Sequence, residues 1–273
     1  MFTHKTSVVW TVTRNCTLKC PYCNAFDNSC PDTRPYVEWL QVWNRLCPDH
    51  LEITGGEPFL LPGLVDMLKG LNSSIKFGIT TNLTLPIEEF ARCISPKQLL
   101  NITCSRHPSM YKQPKDMFDG KVRLLLSKGF HVTVNLVAYP DQMYLIPEMK
   151  AHYEKMGAHF HVDPFREGHE MGKYAYTPDE NRFLSKYVTS DRGWLLDKER
   201  DGLKRALCSA GHDHVCVAPN GDYWPCMLYT FQGREPLGNV FIDTSVFRSG
   251  TVCDDYTFCI GCDKDAVYTE IVR

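Results

Sequence analysis

The chain has 273 residues, enough for one large domain or for one domain with a smaller appendage. Its formal charge of −2 shows no basic excess that would indicate nucleic acid or a membrane surface as a partner. Hydrophobic residues make up 43% of the chain, ample for a core, and no apolar run is long enough to span a bilayer.

The amino terminus and the cysteine content indicate a cellular compartment. The first residues lead directly into an apolar run at residues 7–13, so no signal peptide is predicted. Thirteen cysteines in a secreted chain would indicate disulfides, whereas without a signal peptide they indicate metal ligation in a reducing environment. We therefore expect a cytoplasmic protein.

Apolar, β-branched runs alternate with amphipathic stretches over most of the chain. The predicted strands span residues 7–13, 50–54, 76–81, 99–105, 131–138 and 159–163. The predicted helices span residues 36–46, 62–71, 86–93, 115–128, 142–156 and 178–190. This succession predicts an α/β fold with a parallel sheet and right-handed crossovers. The pattern alone does not separate a doubly wound sheet from a barrel.

Three cysteines, Cys16, Cys20 and Cys23, follow the first predicted strand. A tight loop can aim three thiolates at one place, and thiolates are the ligands of iron–sulfur clusters. Three ligands leave a [4Fe–4S] cluster with one open iron, where a further molecule can bind. Taken alone, three closely spaced cysteines could also be zinc ligands.

A second motif, Gly55-Gly56-Glu57-Pro58, closes the second predicted strand. Its glycines permit close approach of the backbone, and its carboxylate is suited to pair with an ammonium group. In isolation these residues would indicate an ordinary turn.

Together the two motifs resemble the radical S-adenosylmethionine (SAM) enzymes, including the aromatic Tyr22 before the last cysteine. The resemblance implies a partial (β/α)6 barrel with the cofactors and the substrate at the carboxyl ends of the strands. It implies that the open iron binds the amine and carboxylate of SAM, and that the reduced cluster cleaves SAM to a 5′-deoxyadenosyl radical. It further implies that Gly55, Gly56, Glu57 and Pro58 hold the SAM amino group.

Polar side chains also lie near the ends of later strands. By the resemblance, Asn82, Ser105 and Asn135 are candidates to bind the carboxylate or ribose of SAM. The two-residue period of the sixth strand places four residues on one face, where they could bind a polar substrate or the adenine side of SAM: His159, His161, Asp163 and Phe165. The alternative is that these residues cap helices or stabilise the barrel rim.

The last part of the chain is rich in cysteine. Residues 215–224 predict a hairpin that turns at residues 219–222 and brings flanking cysteines together. A C-x2-C knuckle near the end can supply two more ligands. Four thiolates close a metal site without an open position, which suits an auxiliary cluster or a zinc ribbon.

This arrangement resembles the Twitch extension, a shortened form of the SPASM extension of radical SAM enzymes. The resemblance implies one auxiliary [4Fe–4S] cluster, whose assigned ligands are Cys208, Cys226, Cys259 and Cys262. Cys216 and Cys253 are surplus, and either could replace an assigned ligand.

These motifs divide the chain into three predicted parts. A radical SAM barrel occupies residues 1–190, a connector residues 191–207, and the auxiliary domain residues 208–273. Because a fully ligated auxiliary cluster has no open iron for a substrate, it is expected to accept an electron.

Electron transfer to an auxiliary cluster favours dehydrogenation of an alcohol in a small polar substrate, a reaction that similar family members perform on an aminocyclitol. The expected reductant is a flavodoxin- or ferredoxin-type protein. One alternative is epimerisation, for which Cys216 is the candidate hydrogen donor. Another is peptide modification, although no peptide-recognition domain is expected before Ser7. A non-enzymatic electron carrier or redox sensor would need neither the barrel nor the Gly-Gly-Glu-Pro motif.

Overall fold

The computed structural model describes residues 6–23, 34–108, 110, 115–167, 172–188 and 210–246. Six parallel strands stand side by side in chain order: β1 (Ser7–Thr11), β2 (His50–Thr54), β3 (Lys76–Thr81), β4 (Leu99–Ser105), β5 (Val132–Ala138) and β6 (His159–Pro164). The helices between and after them are α1 (Tyr36–Leu46), α2 (Leu64–Gly70), α3 (Glu88–Cys93), α4 (Lys115–Ser127), α5 (Ile146–Met156) and α6 (Pro178–Leu184). The predicted α/β fold with a parallel sheet is confirmed.

One face of this sheet is apolar and packs against helices. Trp10 of β1 is fully buried, with its ring centroid 4.6 Å from that of Trp39 and 5.3 Å from that of Trp43, both on α1. Phe160 of β6 stacks on Tyr153 of α5 at 6.2 Å. The alternate positions of the strands are mostly polar and partly exposed, which is why the sequence shows a two-residue period.

The helix boundaries depart from prediction mainly at α6, which ends at Leu184 rather than at residue 190, and at α5. A 3₁₀ helix, Pro140–Leu145, occupies the first part of the predicted span, so α5 begins at Ile146. Pro147 lies in the first turn of α5, where its missing N–H leaves no hydrogen bond unmade.

Three further strands extend the sheet beyond β1. They are β9 (His214–Val217), β10 (Asp222–Trp224) and β11 (Gly238–Asn239), and the short helix α7 (Met227–Phe231) lies between the last two. The antiparallel pairing of β9 with β10 confirms the predicted hairpin. β9 runs parallel to β1, with Cys216 opposite Val9, so this hairpin belongs to the same sheet as the barrel strands.

A separate two-stranded ribbon, β7 (Arg166–Glu167) with β8 (Gly172–Lys173), follows β6. Across the part of the chain that the structure describes, no helix has the length and apolar composition needed to cross a membrane.

Candidate active site

The loop after β1 carries the three predicted cluster ligands. Cys16, Cys20 and Cys23 are each partly exposed, and the Cys23 N–H donates to the Cys20 carbonyl at 3.0 Å, which closes a turn. Burial raises the pKa of Cys20 to about 12, and the negative charges of Cys23 and Cys16 add to this effect. The Cys20 thiol therefore lies near the other two cysteines of the loop.

This donor set fits an iron–sulfur cluster. Among the described residues, no group of three or more His, Cys, Asp or Glu side chains converges on a position for a single metal ion. In a [4Fe–4S] cluster each thiolate binds its own iron, so the ligands surround the cluster rather than one point. Bound iron would also offset the repulsion between the thiolates.

The loop after β2 lies directly against the cysteine loop. The Gly56 N–H donates to the Thr13 carbonyl at 2.7 Å, and the Glu57 N–H donates to the Asn15 carbonyl at 2.9 Å. A Cβ atom on Gly55 would lie 2.4 Å from the Thr13 oxygen, and one on Gly56 would lie 2.0 Å from the Asn15 oxygen. These glycines therefore allow two backbones to touch, and one of those backbones carries the cysteines.

Glu57 is fully buried and is hydrogen-bonded to the protein's own donors. Its Oε1 accepts from the Thr81 hydroxyl at 2.8 Å and from the Phe59 N–H at 3.1 Å, while Oε2 accepts from the Asn82 N–H at 2.8 Å. Burial raises the pKa of Glu57 even though these hydrogen bonds act in the opposite direction. The carboxylate thus joins the loop after β2, where Pro58 begins a 3₁₀ helix, to the end of β3. Its pairing with the SAM ammonium stays a prediction.

Replacement of Glu57 by glutamine tests this arrangement. The amide nitrogen cannot accept the hydrogen bonds that one carboxylate oxygen now accepts, so a buried donor loses its partner. We expect the free energy of unfolding to fall by about 1–3 kcal/mol. We also expect SAM affinity to fall about ten-fold or more, measured by anaerobic calorimetry.

The matched control for this substitution is Glu89→Gln, which makes the same change on the exposed side of α3. It should leave both the free energy of unfolding and the SAM affinity unchanged. If Glu57→Gln behaves like Glu89→Gln, the buried carboxylate neither stabilises the fold nor contributes to SAM binding.

Tyr22 extends from the cysteine loop towards the ends of β4, β5 and β6. Its hydroxyl lies 3.0 Å from Nδ1 of His107, and its ring centroid is 5.1 Å from that of Tyr139 and 6.4 Å from that of Phe165. Burial lowers the pKa of His107 to about 4, helped by the charge of Arg106, so this imidazole is neutral at pH 7.

Phe165 was predicted to share one face of β6 with His161 and Asp163, whereas Tyr139 was not predicted as a site residue. The available signal for Tyr139 was its position, because it directly follows the last residue of a predicted strand. Tyr139 and Phe165 form an aromatic group with Tyr22 beside the cysteine loop.

Three predicted polar residues lie in one row across the sheet. Ser105 of β4 is in register with Asn135 of β5, and Asn135 is in register with His161 of β6. Asp163 joins two of them, because it accepts from the Asn135 amide at 2.5 Å and lies 3.0 Å from Nε2 of His161. All four side chains are partly exposed, so this polar row can contact a bound molecule.

Two cysteines of the carboxyl-terminal region are described, and both are buried. Cys216 lies on β9 with its sulfur 3.7 Å from Nε2 of His214, and Cys226 packs against Ala210. The remaining assigned or surplus cysteines, Cys208, Cys253, Cys259 and Cys262, lie outside the described residues. The auxiliary ligand set and the hydrogen-donor role of Cys216 therefore stay predictions.

Comparison with known proteins was made by sequence and by structure. No family model matches the chain. The chain is 25% identical to the antilisterial bacteriocin subtilosin biosynthesis protein AlbA of Bacillus subtilis (strain 168), an alignment that covers 88% of this chain and 59% of AlbA.

Two solved structures share the fold. Streptococcus suis SuiB bound to the precursor peptide SuiA has a TM-score of 0.68 and 18% identity, over 88% of this chain and 63% of SuiB. The structure of anSMEcpe with bound AdoMet has a TM-score of 0.62 and 19% identity, over 87% of this chain and 78% of anSMEcpe. The chain spans about three fifths of the length of AlbA and SuiB.

Proposed function

We propose that this radical SAM enzyme, which carries a Twitch-type extension, abstracts a hydrogen atom from a peptide substrate. The observation that carries the proposal is that Cys16, Cys20 and Cys23 share the loop after β1, where a hydrogen-bonded turn joins Cys23 to Cys20. The Gly55–Gly56 backbone packed against their loop supports the same assignment. General α/β architecture also places ligands at this edge of the sheet.

Three relatives favour a peptide over a small polar molecule. AlbA takes part in the biosynthesis of a bacteriocin, and SuiB has been solved with a precursor peptide. The structure of anSMEcpe has been solved with the Kp18Cys peptide. The alignments to these proteins cover 87–88% of this chain.

The residues of the site have separable roles in this proposal. When bound, the [4Fe–4S] cluster and SAM supply the 5′-deoxyadenosyl radical that removes hydrogen from the substrate. Cys16, Cys20 and Cys23 hold the cluster, and the loop at Gly55–Glu57 keeps the cysteine loop in place beside β2. Tyr22 offers an aromatic surface next to the cluster ligands.

The polar row of β4, β5 and β6 would face the substrate or SAM. Asp163 orients Asn135 and His161 through two hydrogen bonds, so both present fixed polar groups. This row is also the observation that keeps dehydrogenation of a small polar substrate as the second candidate function. In either case the auxiliary cluster would take up the electron left on the substrate.

Deuterium transfer distinguishes the two candidates. The reconstituted enzyme is incubated anaerobically with SAM and a chemical reductant. One set of reactions contains deuterated peptides, and the other contains deuterated cyclitols. We expect deuterium in 5′-deoxyadenosine from a peptide. Transfer from the cyclitols alone would contradict the peptide proposal and favour dehydrogenation.

A further inference from the structure

The loop that follows β3 is held in an unusual backbone conformation. Leu83 has a φ of 56°, in the left-handed region that a leucine rarely adopts, and its side chain is fully buried. Lys121 of α4 donates from Nζ to the Leu83 carbonyl at 2.7 Å and to the Leu85 carbonyl at 2.8 Å. The Leu83 N–H donates to the Thr81 hydroxyl at 3.1 Å. Backbone strain that is held in place by surrounding contacts occurs most often at functional sites. The strain at Leu83 therefore points to a function for the loop after β3.

The conformation of Leu83 fixes the position of the preceding residue, Asn82, which is 5% exposed. Its Oδ1 lies 2.9 Å from the Thr84 backbone nitrogen. Because a backbone N–H can only donate, the oxygen of the amide must be on that side, and the nitrogen must be on the other. The orientation of the amide is therefore determined by its contacts.

The amide nitrogen of Asn82 faces the cysteine loop. Nδ2 donates to the Thr17 hydroxyl at 3.1 Å and to Sγ of Cys16 at 3.4 Å. Both distances suit the two N–H groups of one amide, and the longer one is normal for a sulfur acceptor. Asn82 is thus placed to act on a cysteine ligand, in addition to the SAM contact that the sequence predicted.

We propose that Asn82 is a positioning residue whose N–H···S bond to Cys16 raises the reduction potential of the SAM-binding cluster. This inference rests on the proposed function, because it takes Cys16 as a cluster ligand. Reduction adds negative charge to the cluster and its thiolates, and a donor facing a thiolate stabilises that charge. Lys121 and Leu83 hold the donor in place, so little reorganisation accompanies reduction.

The test is the midpoint potential of the reconstituted protein without SAM. The reduced cluster is followed by electron paramagnetic resonance during a redox titration. For Asn82→Leu, which keeps the approximate size and removes the donor, the equilibrium constant for reduction should fall about ten-fold. For a one-electron couple this is a shift of about 59 mV to more negative potential.

A second variant keeps the inference testable if Asn82→Leu fails to fold. Asn82→Asp keeps the acceptor for the Thr84 N–H, removes the donor to Cys16 and adds a negative charge, so its shift should exceed that of Asn82→Leu. Asn101→Leu is the matched control, since it changes the same residue type on β4, where the amide donates to the Thr103 hydroxyl rather than to a cysteine. Its midpoint potential should equal that of the unchanged protein.

Two results would overturn the inference. One is an unchanged potential in both Asn82 variants while each retains a full complement of iron. The other is an equal shift in Asn101→Leu. The iron content of Cys16→Ala is measured first, and an unchanged value there would remove the proposed function together with this inference.

Discussion

Replacing any one of Cys16, Cys20 and Cys23 by alanine is expected to abolish SAM cleavage. It should also lower the iron content from about eight to about four atoms per chain, because one cubane cluster is lost and the auxiliary cluster has separate ligands. Iron analysis and quantification of 5′-deoxyadenosine after anaerobic reduction give the two values. This is the largest effect we expect from a single substitution, since no residue type other than cysteine supplies the thiolate.

The control is Cys93→Ala, which removes a partly exposed thiol at the end of α3, away from the cysteine loop in sequence. It should retain about eight iron atoms and normal SAM cleavage. Normal cleavage in a Cys16, Cys20 or Cys23 variant would contradict the assignment of the active site. Loss of nearly all iron from such a variant would instead contradict the independence of the two clusters.

Gly56→Ala is also expected to impair binding of the SAM-site cluster, although Gly56 is not a cluster ligand. The new methyl carbon would lie 2.0 Å from the Asn15 oxygen and 2.5 Å from the Asn15 carbonyl carbon, far inside van der Waals contact. Since both contacts are with backbone, the cysteine loop itself must move. We expect loss of the SAM-site cluster and a fall in the free energy of unfolding of about 1–3 kcal/mol. Iron analysis and chemical denaturation measure the two effects.

Gly120→Ala is the control, and it should raise the free energy of unfolding rather than lower it. Gly120 lies within α4, and a Cβ atom there would have no neighbour within 4 Å. Alanine should stabilise the helix by about 0.5–1 kcal/mol and leave the iron content unchanged. If Gly56→Ala also keeps its full iron content, close contact between the two loops is not required for cluster binding.

If the substrate is a peptide, the polar row meets backbone amides and carbonyls. Ser105, Asn135 and His161 were predicted as contacts to SAM or to a small polar substrate. A peptide presents backbone amides and carbonyls along an extended segment, and a row of donors and acceptors across three strands is suited to them. The same three residues would therefore suit either substrate class, and the deuterium experiment decides between the two classes.

Most of the secondary structure, and the cysteine motif of the candidate site, could be predicted from the sequence alone. The predicted spans of β2, β3 and β4 coincide with the observed strands, because each is an apolar run bounded by residues that favour turns. The hairpin of β9 and β10 was equally predictable from its turn residues. Such features depend on neighbours within a few positions along the chain, and local patterns record them directly.

The contacts between loops could not be predicted in this way and are seen only in the folded chain. Thr81 and Asn82 donate to Glu57 across 24 and 25 positions, and the Asn82 amide reaches Cys16 across 66. His107 meets Tyr22 across 85 positions. These contacts arise because the parallel register of the sheet brings the carboxyl ends of successive strands to one edge. No local pattern specifies which polar atoms at that edge will pair, since pairing depends on burial and distance between segments remote in sequence.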